Sequence, residues 1–282
     1  MTTILSGKEV ASEMRRITKA ESLKLKEKGI VPTIGIIRVG NRQDDIAYER
    51  GIIKNCDAVG IEAKIVELPE DVNMDDFSDK LHQINEDDHV HGILIFRPLP
   101  KQLDEERIKY MINPQKDIDC MNPQNMVKIF EGSLEGFLPC TPSAVMEILK
   151  YYKVNLNGIN AAVLGRSMVV GKPLSMMLLN ENATVTICHS RTKNLEETVL
   201  NADLVVAAIG KAKFVNKDFI KSGTIVIDVG INLDENGKMC GDVDYDEVSE
   251  LADMITPVPG GVGSVTTSIL LKNVIKAANN KS

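Results

Sequence analysis

Short apolar runs alternate with helical patterns through the second half of the chain. Residues 159–164, 183–187, 203–209 and 224–229 are runs rich in β-branched residues, and stretches with helical spacing separate them. This alternation is typical of a parallel sheet with crossover helices, in which ligands bind beyond the carboxyl ends of the strands. The pattern therefore predicts an α/β fold.

The first half has the same rhythm. It predicts strands at 33–39, 63–68 and 92–96, with helices over 45–59 and up to about Asn85. We interpret Pro139-Cys-Thr-Pro142 as a turn between the halves and Ala144 to Tyr152 as a linking helix.

These patterns predict two α/β domains with a cleft between them. The expected boundaries are residues 1–140 for the first domain and residues 141–266 for a Rossmann-like second domain. Residues 267–282 have helical spacing over most of their length, and we expect this C-terminal helix to pack back on the first domain.

The strand ending at Leu164 is followed by Gly-Arg-Ser-Met-Val-Val-Gly-Lys-Pro, residues 165–173. A glycine turn after a strand, with Pro173 suited to the first helical turn, leaves backbone N–H groups free at the positive end of a helix. Such a site binds phosphate. The spacing Gly165-x5-Gly171 departs from the usual Gly-x-Gly-x-x-Gly fingerprint, so the surrounding βαβαβ pattern carries the prediction of a dinucleotide site.

The end of the second strand of this half indicates which dinucleotide binds. An NAD site usually has Asp or Glu there for the ribose hydroxyl, whereas this chain has Cys188-His189-Ser190-Arg191. Arg166, Ser190 and Arg191 are candidate ligands of a 2′-phosphate, which favours NADP. Alternatively, Arg191 lies on the solvated surface, and His189 caps a helix or packs in the core.

Composition narrows the class of protein. The 33 Lys and Arg residues against 40 Asp and Glu residues give a net charge of −7, which argues against a nucleic-acid partner. No apolar run reaches the length of a membrane span, so we expect no membrane partner. Five scattered cysteines without a Cys-x-x-Cys pair predict reduced thiols in the cytoplasm and no structural metal site.

Several motifs together resemble a known family. They are GRSMVVGKP, NATVTICHSRT, ADLVVAAIG, VIDVGIN, GDVDYDEV and TPVPGGVGSVT in the second half, with Val39-Gly40 before Tyr48, Lys116-Asp-Ile-Asp119 and Pro139-Cys-Thr-Pro142 in the first. The chain resembles the bifunctional methylenetetrahydrofolate dehydrogenase/cyclohydrolase (FolD) family over essentially its whole length. The resemblance implies NADP-dependent oxidation of methylenetetrahydrofolate to methenyltetrahydrofolate, hydrolysis of that product to formyltetrahydrofolate, and a homodimer whose folate lies in the cleft.

The resemblance also implies site residues. Tyr48 and Asp119 match the family's folate-stacking tyrosine and pterin-binding aspartate, and are the implied catalytic residues. The implied substrate-binding residues are Tyr48, Phe96, Asp119, Pro259, Gly260, Gly261 and Val262. The implied cofactor-binding residues are Gly165, Arg166, Ser167, Val170, Gly171, Pro173, His189, Ser190, Arg191, Ala208, Gly210 and Ile231.

Five positions depart from the family pattern, all on the folate side. Ile52 replaces the lysine on which water activation depends, and the other four are Asp45 for Ser, Phe96 for Gln, Cys120 for Gly and Ser264 for Pro. At about 100° of rotation per residue, Lys54 lies about 240° from Tyr48 on the helix and is on another face. Removing a positioned acid/base group typically costs ~10²–10⁴-fold, so we predict a dehydrogenase with weak or absent cyclohydrolase activity.

Two other functions remain open from the sequence. Ile52 and Phe96 make the folate side more apolar, which also suits a different one-carbon or pterin-like substrate. The second alternative is a non-catalytic NADP-binding module. A substrate screen at fixed NADP separates the first alternative from the folate dehydrogenase, and NADP binding without reduction indicates the second.

Overall fold

A computed structural model describes residues 2–133 and 135–280. Its strands, in chain order, are β1 (Thr3–Ile4), β2 (Thr33–Val39), β3 (Glu62–Leu68), β4 (Gly92–Ile95), β5 (Asn160–Leu164), β6 (Thr184–Cys188), β7 (Leu204–Ala207), β8 (Ile225–Asp228), β9 (Asn232–Leu233), β10 (Met239–Cys240) and β11 (Met254–Ile255).

The helices lie between these strands along the chain, except for the last, which follows β11. They are α1 (Gly7–Glu27), α2 (Gln43–Val59), α3 (Met74–Glu86), α4 (Glu105–Met111), α5 (Pro123–Phe130), α6 (Cys140–Tyr151), α7 (Gly171–Asn180), α8 (Leu195–Leu200), α9 (Tyr245–Val248) and α10 (Val262–Asn280), with a short 3₁₀ helix at Lys217–Phe219. The predicted α/β class is confirmed.

The chain divides into two compact units. Unit 1 contains the described residues up to 12 and residues 141–266, and unit 2 contains the described residues of 13–140 and those from 267 onward. The expected first domain started at residue 1, but residues 2–12 belong to unit 1. The reason is that β1 pairs in parallel with β11, with Thr3 opposite Met254 and Ile4 opposite Ile255.

Unit 1 is built on a six-stranded sheet in the order β1-β11-β8-β7-β5-β6, and every pair in it is parallel. The predicted parallel sheet is therefore confirmed. Chain order reverses at β5, which lies between β6 and β7. In open α/β sheets the loops at such a switch point form the ligand crevice.

Unit 2 has a three-stranded parallel sheet in the order β3-β2-β4. The segment after α4 extends it, because Ile93 of β4 forms a parallel bridge with Asp117. Helix α2 packs one stripe of side chains inward, namely Glu49, Ile52, Cys56 and Val59. Tyr48 of α2 and Phe96 therefore follow the carboxyl ends of β2 and β4.

A buried arginine secures the end of β2. Arg38 is 3% exposed, and its guanidinium contacts Glu49 Oε2 at 2.9 Å, Glu67 Oε1 at 2.9 Å and Asn41 Oδ1 at 3.0 Å. The hydrogen bond that Arg38 donates to Glu49 raises the pKa of Arg38; Glu67 raises it further, and burial lowers it. These ion pairs connect β2 to α2 and β3, and so position the helix that carries Tyr48.

Two segment predictions were wrong. Helix α6 begins at Cys140, so Cys140 to Pro142 form a helical turn instead of a separating turn, and Pro142 occupies the first turn, where proline is tolerated. Helix α10 begins at Val262, ahead of the predicted start at residue 267. The patterns also missed β1, β9, β10 and β11, which have two residues each and are too short to show periodicity.

Candidate functional site

The glycine loop of unit 1 begins with a close approach between two strand ends. Gly165 follows β5 at a φ of +124°, and a Cβ at this position would lie 2.2 Å from the carbonyl oxygen of Ala208. Ala208 follows β7, and its N–H donates to Leu164 O at 2.8 Å. A side chain at position 165 would therefore collide with backbone that the sheet holds in place.

The loop then folds back into α7. Ser167 Oγ accepts from Val170 N–H at 3.1 Å, and Ser167 O accepts from Lys172 N–H at 3.0 Å. A Cβ on Gly171, the first residue of α7, would lie 2.1 Å from Gly165 O. The two glycines thus allow the helix to start directly against the strand end, which brings its positive terminus to the sheet edge.

A cavity of about 310 Å³ lies beyond the carboxyl ends of β5, β6 and β7. Arg166 and Lys211 supply positive charge there, with Lys211 Nζ 5.3 Å from the ring centroid of Phe214. None of the described lining residues is Asp or Glu. They are Leu164, Gly165, Arg166, Ser167, Cys188, His189, Ser190, Leu195, Ala208, Ile209, Lys211 and Phe214. This combination suits a phosphorylated ligand with an apolar ring system.

The structure places about half of the implied cofactor residues around this cavity, namely Gly165, Arg166, Ser167, His189, Ser190 and Ala208. Val170, Gly171 and Pro173 lie behind them in the loop and first turn of α7. Arg191 and Gly210 are exposed and are not among its lining residues, and Ile231 lines a different cavity. Sequence reasoning missed Lys211 and Phe214, which follow β7 without a recognisable motif.

His189 shapes the turn after β6. Its Nδ1 accepts from Arg191 N–H at 3.2 Å, and its own N–H donates to Thr192 Oγ1 at 2.9 Å. The side chain therefore holds the turn that exposes Ser190 beside the cavity. Neither helix capping nor core packing, the two alternatives raised from the sequence, describes this position.

A second cavity of about 210 Å³ lies at the carboxyl end of β8. Four of the implied substrate-binding residues line it, together with Ile231: they are Pro259, Gly260, Gly261 and Val262. Ser264, which replaces the family's proline, also lines it and donates its N–H to Gly261 O at 3.0 Å. Main chain therefore forms much of this surface.

One buried carboxylate connects the loops of the two cavities. Asp242 is fully buried and accepts from the N–H groups of Ile209, Gly210 and Lys211 at 2.7, 3.0 and 2.8 Å. It also accepts from Asn232 Nδ2 at 2.9 Å. The loop after β7, beside the first cavity, is thus tied to the segment after β8, beside the second.

A second buried aspartate supports the first. Asp228 at the end of β8 accepts from the N–H groups of Gly230, Asp242 and Val243, each at 2.9 Å. Burial raises the pKa of the Asp228 carboxyl to about 6, although the three hydrogen bonds act in the opposite direction. The sequence showed these residues only as the motifs VIDVGIN and GDVDYDEV.

In unit 2, three of the implied folate residues form one cluster. The rings of Tyr48 and Phe96 lie 5.3 Å apart between centroids at an angle of 37°. Phe96 is 5% exposed and Tyr48 is 45% exposed, so Phe96 packs against a tyrosine that remains partly open to solvent. Asp119 lies close enough to Tyr48 for its charge to affect the phenol.

Both polar groups of this cluster have shifted pKa values. The pKa of Tyr48 is raised because its hydroxyl end is desolvated, although much of the ring is exposed, and because Asp119 adds negative charge. The pKa of Asp119 is raised by desolvation, against the lowering effects of Arg97 and of hydrogen bonds from Cys140. Arg97 and Cys140 thus favour the ionised form of Asp119, and desolvation favours the protonated form.

The departures from the family pattern have clear local environments. Ile52 is fully buried in the stripe of α2 that faces the core, and Asp45, whose side chain is 14% exposed, pairs with Arg42 at 2.8 Å. Cys120, in place of glycine, has a φ of +57°, a left-handed conformation that glycine adopts at lower cost. Cys120 thus combines a left-handed backbone conformation with a buried side chain.

In residues 2–133 and 135–280 there is no group of three or more His, Cys, Asp or Glu side chains placed to hold a metal ion. Within the same part of the chain, no helix has the length and apolar character needed to cross a membrane.

Comparison with known proteins decides the family. Residues 5–119 match the catalytic domain of the tetrahydrofolate dehydrogenase/cyclohydrolase family, and residues 139–282 match its NAD(P)-binding domain. The chain belongs to this family. The family's two domain models meet between residues 119 and 139, near the end of unit 2 at Cys140.

Individual relatives agree over the full length. The chain is 55% identical over 281 residues to bifunctional protein FolD 1 of Desulfitobacterium hafniense (strain Y51), with complete coverage of both chains. A FolD crystal structure from Campylobacter jejuni superimposes with a TM-score of 0.98 at 40% identity and complete coverage of both chains. A Trypanosoma brucei FolD structure complexed with NADP and an inhibitor has a TM-score of 0.93 at 35% identity, covering 99% of this chain and 98% of that one.

Proposed function

We propose that this protein oxidises 5,10-methylenetetrahydrofolate to 5,10-methenyltetrahydrofolate with NADP⁺ as the hydride acceptor. The observation that carries the proposal is the cavity at the switch point of unit 1, which contains Arg166 and Lys211 and has no acidic residue in its described lining. Membership of the family supplies the substrate class, because the matched domain models are those of a tetrahydrofolate dehydrogenase.

The chain's own residues hold the coenzyme. NADP⁺, when bound, supplies the carbon that accepts the hydride. The loop 165–171 and the start of α7 would bind the bridging phosphates through backbone N–H groups, as helix N-termini do. Arg166 and Ser190 would bind the 2′-phosphate, since both border the cavity and a charge-assisted hydrogen bond is stronger than a neutral one.

The folate residues act by positioning. Hydride transfer requires that donor and acceptor carbons be held together, so stacking and hydrogen bonding account for most of the protein's contribution. We assign stacking to the open ring of Tyr48 and recognition of the pterin to the Asp119 carboxylate, with Phe96 bracing Tyr48. The family resemblance also assigns substrate binding to residues 259–262 of unit 1, whose main chain lines the smaller cavity.

We also propose that methenyltetrahydrofolate hydrolysis is slow. The family and the relatives named bifunctional carry both activities, but position 52 holds a hydrocarbon side chain that is fully buried. Isoleucine neither donates a hydrogen bond to a developing oxyanion nor transfers a proton. The hydride step makes no such demand, so we expect the two activities to separate in this chain.

One spectrophotometric experiment tests the proposal. Purified protein is given methylenetetrahydrofolate with NADP⁺ or with NAD⁺, and both the formation of methenyltetrahydrofolate and its decay are followed. We expect formation to be faster with NADP⁺ and decay close to that in buffer. Binding of NADP⁺ without any methenyl formation would instead support the non-catalytic module, and turnover restricted to another pterin would support an altered substrate.

Arg166→Leu is expected to weaken NADP⁺ binding by about 10- to 100-fold while changing the KM for NAD⁺ by less than about threefold. The reason is the loss of one charge-assisted hydrogen bond, worth ~1.5–3 kcal/mol, to a phosphate that NAD⁺ lacks. Initial rates with each coenzyme provide the measurement. Arg191→Leu is the matched variant, because Arg191 follows Ser190 but does not line the cavity. Equal effects of the two variants would disprove the assignment to Arg166.

We propose a homodimer, as the family resemblance implies, which light scattering of the purified protein tests. We propose a cytoplasmic location, supported by five free cysteines of which four are buried.

A further inference from the structure

An ion pair stands at the folate side of unit 2. Arg97 Nη2 lies 3.5 Å from Asp119 Oδ2, and each side chain is 31% exposed. The chain path explains the pairing: Ile93 N–H donates to Lys116 O at 2.7 Å and Ile93 bridges Asp117, so residues 117–119 run beside β4. The two segments reach the same edge of the sheet together.

Stability does not account for this pair. An ion pair that is partly exposed to solvent contributes ~0–1 kcal/mol, and this one is long. Arg97 follows Phe96, which supports Tyr48, so its guanidinium lies beside the cluster that we assign to the folate. A pair that contributes little to folding but borders the substrate cluster is better explained by its effect on Asp119.

The charged and titratable groups near Asp119 come from four segments. They are Tyr48 from α2, Arg97 from the segment after β4, Asp117 and Cys120 from the loop of Asp119 itself, and Cys140 from α6. Arg97 lowers the pKa of the Asp119 carboxyl through its charge, and Cys140 lowers it through hydrogen bonds. Among these described residues Arg97 is the one cation.

The positive charge of Arg97 compensates for polar side chains that are absent from the folate side of this chain. The family pattern has a lysine and a glutamine where this chain has Ile52 and Phe96, so two polar groups are missing from the folate side. Desolvation raises the pKa of Asp119, and Arg97 opposes that rise. An ionised carboxylate accepts from the N–H groups at the edge of a pterin ring, whereas a protonated carboxyl presents its own proton there and loses one acceptor.

We infer that Arg97 is a positioning residue that keeps Asp119 ionised and oriented toward the pterin ring of the substrate. The inference rests on the proposed function of this site. Arginine stays protonated at all ordinary pH values, so Arg97 balances charge but does not take a proton from water. It therefore supports the binding needed for oxidation without restoring the lysine-dependent hydrolysis.

The test compares Arg97→Leu with Arg97→Lys in the dehydrogenase assay from pH 6 to 9 at saturating NADP⁺. Without the guanidinium the pKa of Asp119 rises further, so more of the carboxyl is protonated as the pH falls. If the pKa of Asp119 rises by about one unit, we expect Arg97→Leu to raise the KM for methylenetetrahydrofolate by up to about tenfold, with the largest increase at pH 6 and the smallest at pH 9. The kcat should change by less than about threefold, and Arg97→Lys should recover most of the KM.

Arg107→Leu is the matched control, because Arg107 is an exposed arginine on α4 in the same unit. Circular dichroism and thermal unfolding verify that all variants are folded. A KM–pH profile of Arg97→Leu that coincides with that of Arg107→Leu would overturn the inference, as would a loss confined to kcat. If the unmodified protein does not oxidise methylenetetrahydrofolate at all, the proposed function fails instead, so the two failures are distinguishable.

Discussion

Ile52→Lys is expected to raise the rate of methenyltetrahydrofolate hydrolysis by about 10²-fold or more while leaving the dehydrogenase kcat within about threefold. Position 52 lies one helical turn after Tyr48, about 40° round the axis of α2, so a lysine stem can follow the helix surface toward the tyrosine. The decay of methenyltetrahydrofolate, corrected for hydrolysis in buffer, provides the measurement.

Burial makes a control essential for this variant. Ile52 is fully buried, so introducing an ammonium group destabilises unit 2 unless the side chain extends out of the core. Ile52→Met changes the side-chain shape without adding charge, and we expect it to leave hydrolysis unchanged. Thermal unfolding of both variants separates a stability loss from a catalytic effect. If the unmodified protein already hydrolyses its product as fast as it forms it, another group has replaced the lysine and the expectation is wrong.

Gly165→Ala is expected to weaken NADP⁺ binding by more than about 100-fold, which corresponds to ~2.7 kcal/mol. The added Cβ would lie 2.2 Å from Ala208 O, in a backbone conformation with φ of +124° that L-residues rarely adopt. Either β5 and β7 separate at their ends or the loop 165–171 moves. Fluorescence titration with NADP⁺ measures the loss directly, before any catalytic step.

Gly223→Ala controls for the conformational part of that effect. Gly223 also has a positive φ, +88°, but no heavy atom lies within 4 Å of where its Cβ would be. We expect this variant to lose ~1–2 kcal/mol of stability with no change in NADP⁺ affinity. An affinity for Gly165→Ala within about threefold of the unmodified value would show that the glycine loop is not the phosphate site.

The long periodic segments of the chain were predictable from sequence. Strand β2 at 33–39 was predicted with its exact bounds, and the alternation around β5, β6, β7 and β8 predicted the parallel sheet. Such segments bury one apolar face, so their apolar residues recur at a regular spacing in the sequence. The phosphate loop was also predictable, because Gly165 and Pro173 have local conformational requirements.

Features formed by distant parts of the chain were not predictable. The pairing of β1 with β11 joins positions about 250 residues apart, and neither strand is long enough to show a pattern. The ion pair between Arg97 and Asp119 and the bonds of Asp242 to residues 209–211 depend on side-chain geometry between segments. A single sequence does not show which carboxylate contacts which guanidinium or backbone N–H group.

The Asp242 carboxylate has a consequence for redesign of the coenzyme site. It connects the loop after β7 with the side chain of Asn232. Replacing either segment therefore disturbs a hydrogen bond that also positions the other. Substitutions intended to change the coenzyme preference are better placed in the turn after β6, because the hydrogen bonds of His189 there do not involve Asp242. We therefore expect sequence differences among natural or designed variants to be more frequent in that turn. The two segments that Asp242 connects should change together or not at all.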